Sequence, residues 1–103
     1  MTKAERIFNK TKNECKKSVE FWGKQLNPNG KPVGFHCLSY NDNETVSLRT
    51  CNAIQNLINR EKDLYKIDFK LGIITSKKYN DSVFIMDMLQ VTLENTINII
   101  NSI

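Results

Sequence analysis

The stretch VGFHCLSYNDNETVSLR, Val33 to Arg49, decides the fold class. Val33–Tyr40 and Thr45–Arg49 are rich in residues that favour extended structure, and the polar Asn-Asp-Asn-Glu between them has the composition of a four-residue hairpin loop. The expectation is a β-hairpin, which is stable only when packed on helices. Immediately before it, Asn-Pro-Asn-Gly-Lys-Pro at 27–32 has turn chemistry. Pro28 forbids helix continuation, Asn29 and Gly30 tolerate positive φ, and Pro32 biases Lys31 toward extended backbone.

On the N-terminal side, Ala4, Ile7, Phe8, Cys15, Val19, Trp22 and Leu26 recur at three- and four-residue intervals, with Thr11 in the one gap. That periodicity predicts an amphipathic helix from Thr2 to about Leu26, opened by a Thr2/Glu5 capping box. On the C-terminal side a second helix is expected from about Thr50 to Gly72. Its predicted buried face is Ala53, Ile54, Leu57, Ile58, Leu64 and Tyr65, continuing to Phe69 and Leu71.

A third helix, capped by Ser76, carries Met86, Leu89, Leu93, Ile97 and Ile100 on one stripe, widened by further apolar residues from Val83 to Ile103. A helix so apolar belongs at the centre of the fold or in a subunit interface, and a homodimer through residues 83–103 is expected. The sum is a single α+β domain of 103 residues: a three-helix bundle with a small hairpin between helices one and two.

Composition narrows the class. Hydrophobic content of 40% and charged content of 25% are those of a folding domain. No run of 18 apolar residues suggests a membrane span, and the mixed charges of the first residues do not read as a signal peptide. A cytoplasmic protein with reduced thiols follows, since Cys15, Cys37 and Cys51 form an odd set without a C-x-x-C pair. The abundance of Asn, Ile and Lys suits an AT-rich bacterial or phage genome.

The familiar chemistries find little support. Gly30-Lys31 lacks the upstream glycine and the Ser/Thr of a phosphate-binding loop. His36 and Cys37 are neighbours that an extended strand points to opposite faces, so they do not make a nucleophilic pair. A zinc set of His36 with the three cysteines lacks close ligand pairs. Carboxylates are scattered, and Lys70–Phe84 resembles a helix-turn-helix junction only loosely, because Asp68 replaces the small residue that a close crossing wants. No catalytic residue, metal site or cofactor is expected.

Two features remain. Lys3, Lys10, Lys17 and Lys24 are spaced by sevens with Arg6 close by, and residues 1–32 carry a net charge of +5 against −1 for the rest of the chain. Such a row is a candidate contact for an anion or a nucleic acid. Phe21, Phe35 and Tyr40, if exposed near the 27–32 turn, form a candidate aromatic patch for a protein partner. The expected function is accordingly that of a small non-catalytic protein acting through protein–protein contact, with nucleic-acid binding as the alternative.

Overall fold

The computed structural model describes residues 1–39 and 46–103. It contains three helices, α1 (Lys3–Trp22), α2 (Leu48–Lys70) and α3 (Ser76–Asn101), in a body of 44 × 32 × 22 Å. Among the described residues there is no strand, only an isolated antiparallel bridge between Leu26 and Pro32. The fold is therefore all-helical, and the α+β class with its hairpin is corrected.

The physical reason lies in where the backbone of the first expected strand finds its partners. Residues 33–39 form no strand and bend at His36–Cys37; they run in the groove between α1 and α3, and past Val33, whose N–H donates to the Gln25 carbonyl, they bond to threonine side chains rather than to a second strand. Phe35 N–H donates to Thr92 Oγ1 at 2.9 Å and Leu38 N–H to Thr96 Oγ1 at 2.8 Å. Ser39 N–H donates to Thr11 Oγ1 at 3.1 Å, and Asn95 Nδ2 donates to the Phe35 carbonyl at 2.8 Å.

Buried backbone groups must be paired, but nothing requires the partner to be backbone. Each α3 threonine also donates back to the carbonyl four residues earlier, so its hydroxyl is used both ways. Leu38 is buried at the foot of this crossover, and Gly34 provides the close approach. A Cβ on Gly34 would lie 2.8 Å from Thr92 Oγ1 and 2.9 Å from the Thr92 backbone nitrogen. Of the expected second strand, Thr45 and the loop before it lie outside the described residues, as does Tyr40. Leu48 and Arg49 open α2 behind an Ser47 N-cap, three residues from the expected start.

The helix ends follow local chemistry. Thr2 and Glu5 form the expected capping box, which holds the Glu5 carboxyl below its ordinary value through the Thr2 hydroxyl first and its backbone second. α1 stops at Trp22, short of Leu26, because Gly23 has φ 78° and ψ 178°, a conformation reserved for glycine. α2 ends in a Schellman motif, with Gly72 at φ 74° donating to the Phe69 carbonyl and Ile73 to the Asp68 carbonyl. Thr75, rather than Ser76, caps α3.

α1 and α2 run parallel and α3 antiparallel to both, as their cross-links show. Lys12 pairs with Glu61 at 2.8 Å between α1 and α2. Gln55 and Gln90 exchange two amide hydrogen bonds of 2.7 Å, and Lys62 pairs with Asp87, both between α2 and α3. The core is built from Ile7, Phe8, Cys15, Leu38, Cys51, Ile54, Ile58, Met86, Met88, Leu89 and Leu93. α3 is central, touching both other helices and the crossover. It is the one helix among the described residues long and apolar enough to cross a membrane, a property it shares with core helices of its length.

Candidate functional site

The helix directions place α1's last turn, the α2–α3 turn and the start of α3 at one end of the bundle. The ion pair of Lys24 with Asp81 at 2.6 Å fastens that end, with the Lys24 ammonium also 5.4 Å from the centre of the Phe84 ring. Asp81 also accepts from Lys77 at 3.0 Å. Its carboxyl is held below the ordinary 3.8, by Lys24 first and Lys77 second. A depressed carboxylate adds stability above its unfolded value, so this fastening is complete at neutral pH and is lost as acidification passes through the lowered value.

Apolar surface is concentrated at this end. Of the twelve exposed large apolar side chains among the described residues, nine fall in residues 21–33 and 64–73. Phe21 is 77% and Trp22 68% exposed, with Leu71 at 69% and Ile73 at 66%. Trp22, Leu64 and Leu71 lie on periodic faces that the sequence assigned to the core. The faces are real, but no described residue covers them at this end.

Charge collects in the same place. Residues 16–33 and 62–81 hold nine lysines against four carboxylates (Glu20, Asp63, Asp68, Asp81), and with Glu14 at the cleft and Asp87 paired to Lys62 the end carries a net of +3. Among the described residues Lys16, Lys17, Lys31, Lys66, Lys70 and Lys78 have no ion-pair partner.

A shallow cleft of about 680 Å³ runs along α1 at this end, floored by Lys17, Ser18 and Phe21 with Trp22, and walled by Phe35 of the crossover. Its lining positions 14, 17, 18 and 21 lie on one helix face over about two turns. Glu14 and Glu20 stand at its rim, and Glu14 accepts from Ser39 Oγ at 2.8 Å, tying it to the crossover. The candidate patch residues thus divide. Phe21 and Phe35 share this cleft, Phe21 exposed and Phe35 half-buried against the core, while Tyr40 lies outside the described residues.

The lysine row also divides. Lys10 and Lys17 are exposed, whereas Lys24 is committed to Asp81. Lys3 and Arg6 sit at the opposite end, where Arg6 donates to the Met1 carbonyl at 3.3 Å. What the sequence did not single out is the lysine set of α2 and α3, which the fold brings to the same end as Lys17.

The thiol and metal candidates can be placed as well. Cys15 and Cys51 are buried, and burial, followed by the Glu14 charge, pushes the Cys15 thiol up to about 12. Burial likewise raises Cys51. His36 is exposed beside a half-buried Cys37, and among the described residues no three of His, Cys, Asp or Glu gather around a point that would hold a metal. Short alkylation of the native chain by iodoacetamide is expected to label Cys37 alone, with Cys15 and Cys51 labelled only after denaturation. Peptide mass mapping reads this, and early labelling of Cys15 would contradict it.

The loop at Gly30-Lys31 is a turn. Asn27 Oδ1 accepts from the N–H groups of Asn29 at 3.0 Å and Lys31 at 3.1 Å, and the Asn27 carbonyl accepts from Gly30 at 2.9 Å. Those donors are therefore already used, which leaves none of the three for a phosphate. Comparison with protein-family models, curated proteins and solved structures finds no match for the chain.

Proposed function

We propose that the chain is a small non-catalytic docking module whose basic, apolar end is covered by another protein. The observation that carries this reading is the gathering, among the described residues, of nine of twelve exposed large apolar residues at one end of the bundle. Exposed apolar surface, where it is contiguous, marks an interface more often than it marks ordinary surface.

The homodimer through residues 83–103 is the competing assembly; Ile103 is fully exposed there, and Val83, Phe84, Ile85, Val91, Ile97, Ile99 and Ile100 are partly exposed. A cytoplasmic setting remains part of this proposal.

Nucleic-acid binding is the second reading, favoured by the unpaired lysines. It predicts that Lys10→Glu with Lys17→Glu abolishes a steeply salt-dependent affinity for DNA or RNA.

The test is photo-crosslinking in the cells the chain comes from, with a photoreactive residue at Phe21, at Leu71 or, as a control, at Asn98 of the opposite end. The expected result is one identified protein joined at positions 21 and 71 and absent at 98. Adducts of twice the chain mass favouring position 98 would support the α3 dimer, and nucleic-acid adducts would support the second reading. Adducts at none of the three would overturn docking.

A further inference from the structure

We infer that Asn29 is a site of spontaneous covalent modification: its side-chain amide is displaced by the Gly30 nitrogen through a succinimide, leaving aspartate or isoaspartate in the turn between α1 and the crossover. This holds whatever covers that end of the bundle. Ring closure needs an asparagine followed by a residue with a backbone N–H and little bulk, in a segment loose enough to turn that nitrogen onto the side-chain carbon. Asn27 fails the first condition, because Pro28 follows it and has no N–H. Every described asparagine other than Asn27 and Asn29 lies within α1, α2 or α3, where helical hydrogen bonding holds the next nitrogen. Asn29 alone among the described residues is outside a helix, exposed and followed by a glycine.

The surroundings of the attacking nitrogen are open, since a Cβ built on Gly30 meets nothing within 4 Å. What restrains the reaction is the turn itself. Gly30 has φ 78° and donates its N–H to the Asn27 carbonyl at 2.9 Å, while Asn27 Oδ1 accepts from the N–H groups of Asn29 and Lys31. Asn27 N–H donates to the Lys31 carbonyl at 2.8 Å, and the Leu26–Pro32 bridge lies just beyond. The Gly30 proton therefore reaches solvent only when the turn opens locally.

In the opened turn hydroxide takes the Gly30 amide proton, and the nitrogen's electron pair forms a bond to Asn29 Cγ. The Cγ–Nδ2 bond breaks, and the amide leaves as ammonia after taking a proton from water. Water then opens the ring. Cleavage at Cγ gives aspartate, and cleavage at the Asn29 backbone carbonyl gives isoaspartate, with nothing oxidised or reduced. Either product sets a carboxylate two residues from Lys31, and isoaspartate also adds one carbon to the backbone between Leu26 and Pro32.

The test ages the native full chain in weakly alkaline heavy-oxygen water, beside a chain unfolded in urea, and locates the label by peptide mass mapping with electron-transfer fragmentation. The expected result is one heavy oxygen at Asn29 ahead of every asparagine in the helices, with isoaspartate among the products. Unfolding is expected to speed labelling at Asn29 at least about fivefold, because a turn hydrogen bond of ordinary strength no longer holds the Gly30 nitrogen. Asn27→Ala, shown folded by circular dichroism, removes the acceptor for Asn29 and Lys31 and is expected to speed the native reaction by about the same factor. Asn29→Gln should remove the label from position 29, because the longer side chain closes its ring far more slowly. Native labelling at Asn29 no faster than at Asn13 in α1 would overturn the site. Equal rates in the native and unfolded chains would overturn the turn as its restraint.

Discussion

Gly34→Ala is expected to cost about 2–3 kcal/mol of folding stability, because the added methyl has nowhere to go in a packed interior. The three atoms it meets are Thr92 Oγ1 at 2.8 Å and the Thr92 nitrogen and Val91 Cγ1 at 2.9 Å. One of these is backbone of the central helix, so relief requires the crossover to lift from α3. Lifting it strains the Phe35 and Leu38 hydrogen bonds to Thr92 and Thr96. For a domain of this size the melting temperature should fall by roughly 10–20 °C.

Two controls separate the clash from loss of glycine as such. Gly72→Ala, at φ 74° with open space around it, should cost only about 1 kcal/mol. Adding Thr92→Ser to Gly34→Ala should not restore stability, since the hydroxyl and the backbone nitrogen both remain. Urea denaturation of the set gives the ranking, and a Gly34→Ala chain as stable as the parent would mean that the crossover is not seated against α3.

Trp22→Ala is expected to weaken the partner complex by about 2 kcal/mol, or roughly thirtyfold in Kd, because large aromatic side chains supply much of the energy of protein interfaces. The side chain is 68% exposed, so the free chain should lose no more than about 0.5 kcal/mol of stability. That combination distinguishes a docking residue from a core one. Leu48→Ala, at the opposite end and 44% exposed, is the matched control and should leave affinity unchanged. A Trp22→Ala chain that unfolds, or that binds its partner as well as the parent, would remove Trp22 from the interface.

The three helices were legible because their apolar positions recur with the helical period and their ends carry recognisable caps, as at Thr2 and Gly72. The hairpin was misread because Val33–Tyr40 does have extended-chain composition. What pairs its backbone is a set of hydroxyls at Thr11, Thr92 and Thr96, far away in sequence. The available signal was two threonines four residues apart on an otherwise apolar helix, with a glycine in the preceding segment.

Trp22, Leu64 and Leu71 expose a different limit. Periodicity tells which face of a helix is apolar but not whether anything covers it, and here, among the described residues, the covering stops short of one end of the bundle. The row of lysines at sevens was equally plain in the sequence. That Lys24 is spent on Asp81 was not, since the partner lies far along the chain. Nor did the first 32 residues alone disclose the charged end, which gains Lys66, Lys70 and Lys78 only when α2 and α3 fold back beside α1.

Trp22 is the chain's single tryptophan and sits in the proposed docking surface, so its fluorescence reports on that surface alone. The decisive measurement is acrylamide quenching of Trp22 in the free chain and in the complex with its crosslink-identified partner. The account predicts efficient quenching in the free chain, with a blue shift and strong protection in the complex. Quenching as efficient in the complex as in the free chain would contradict it.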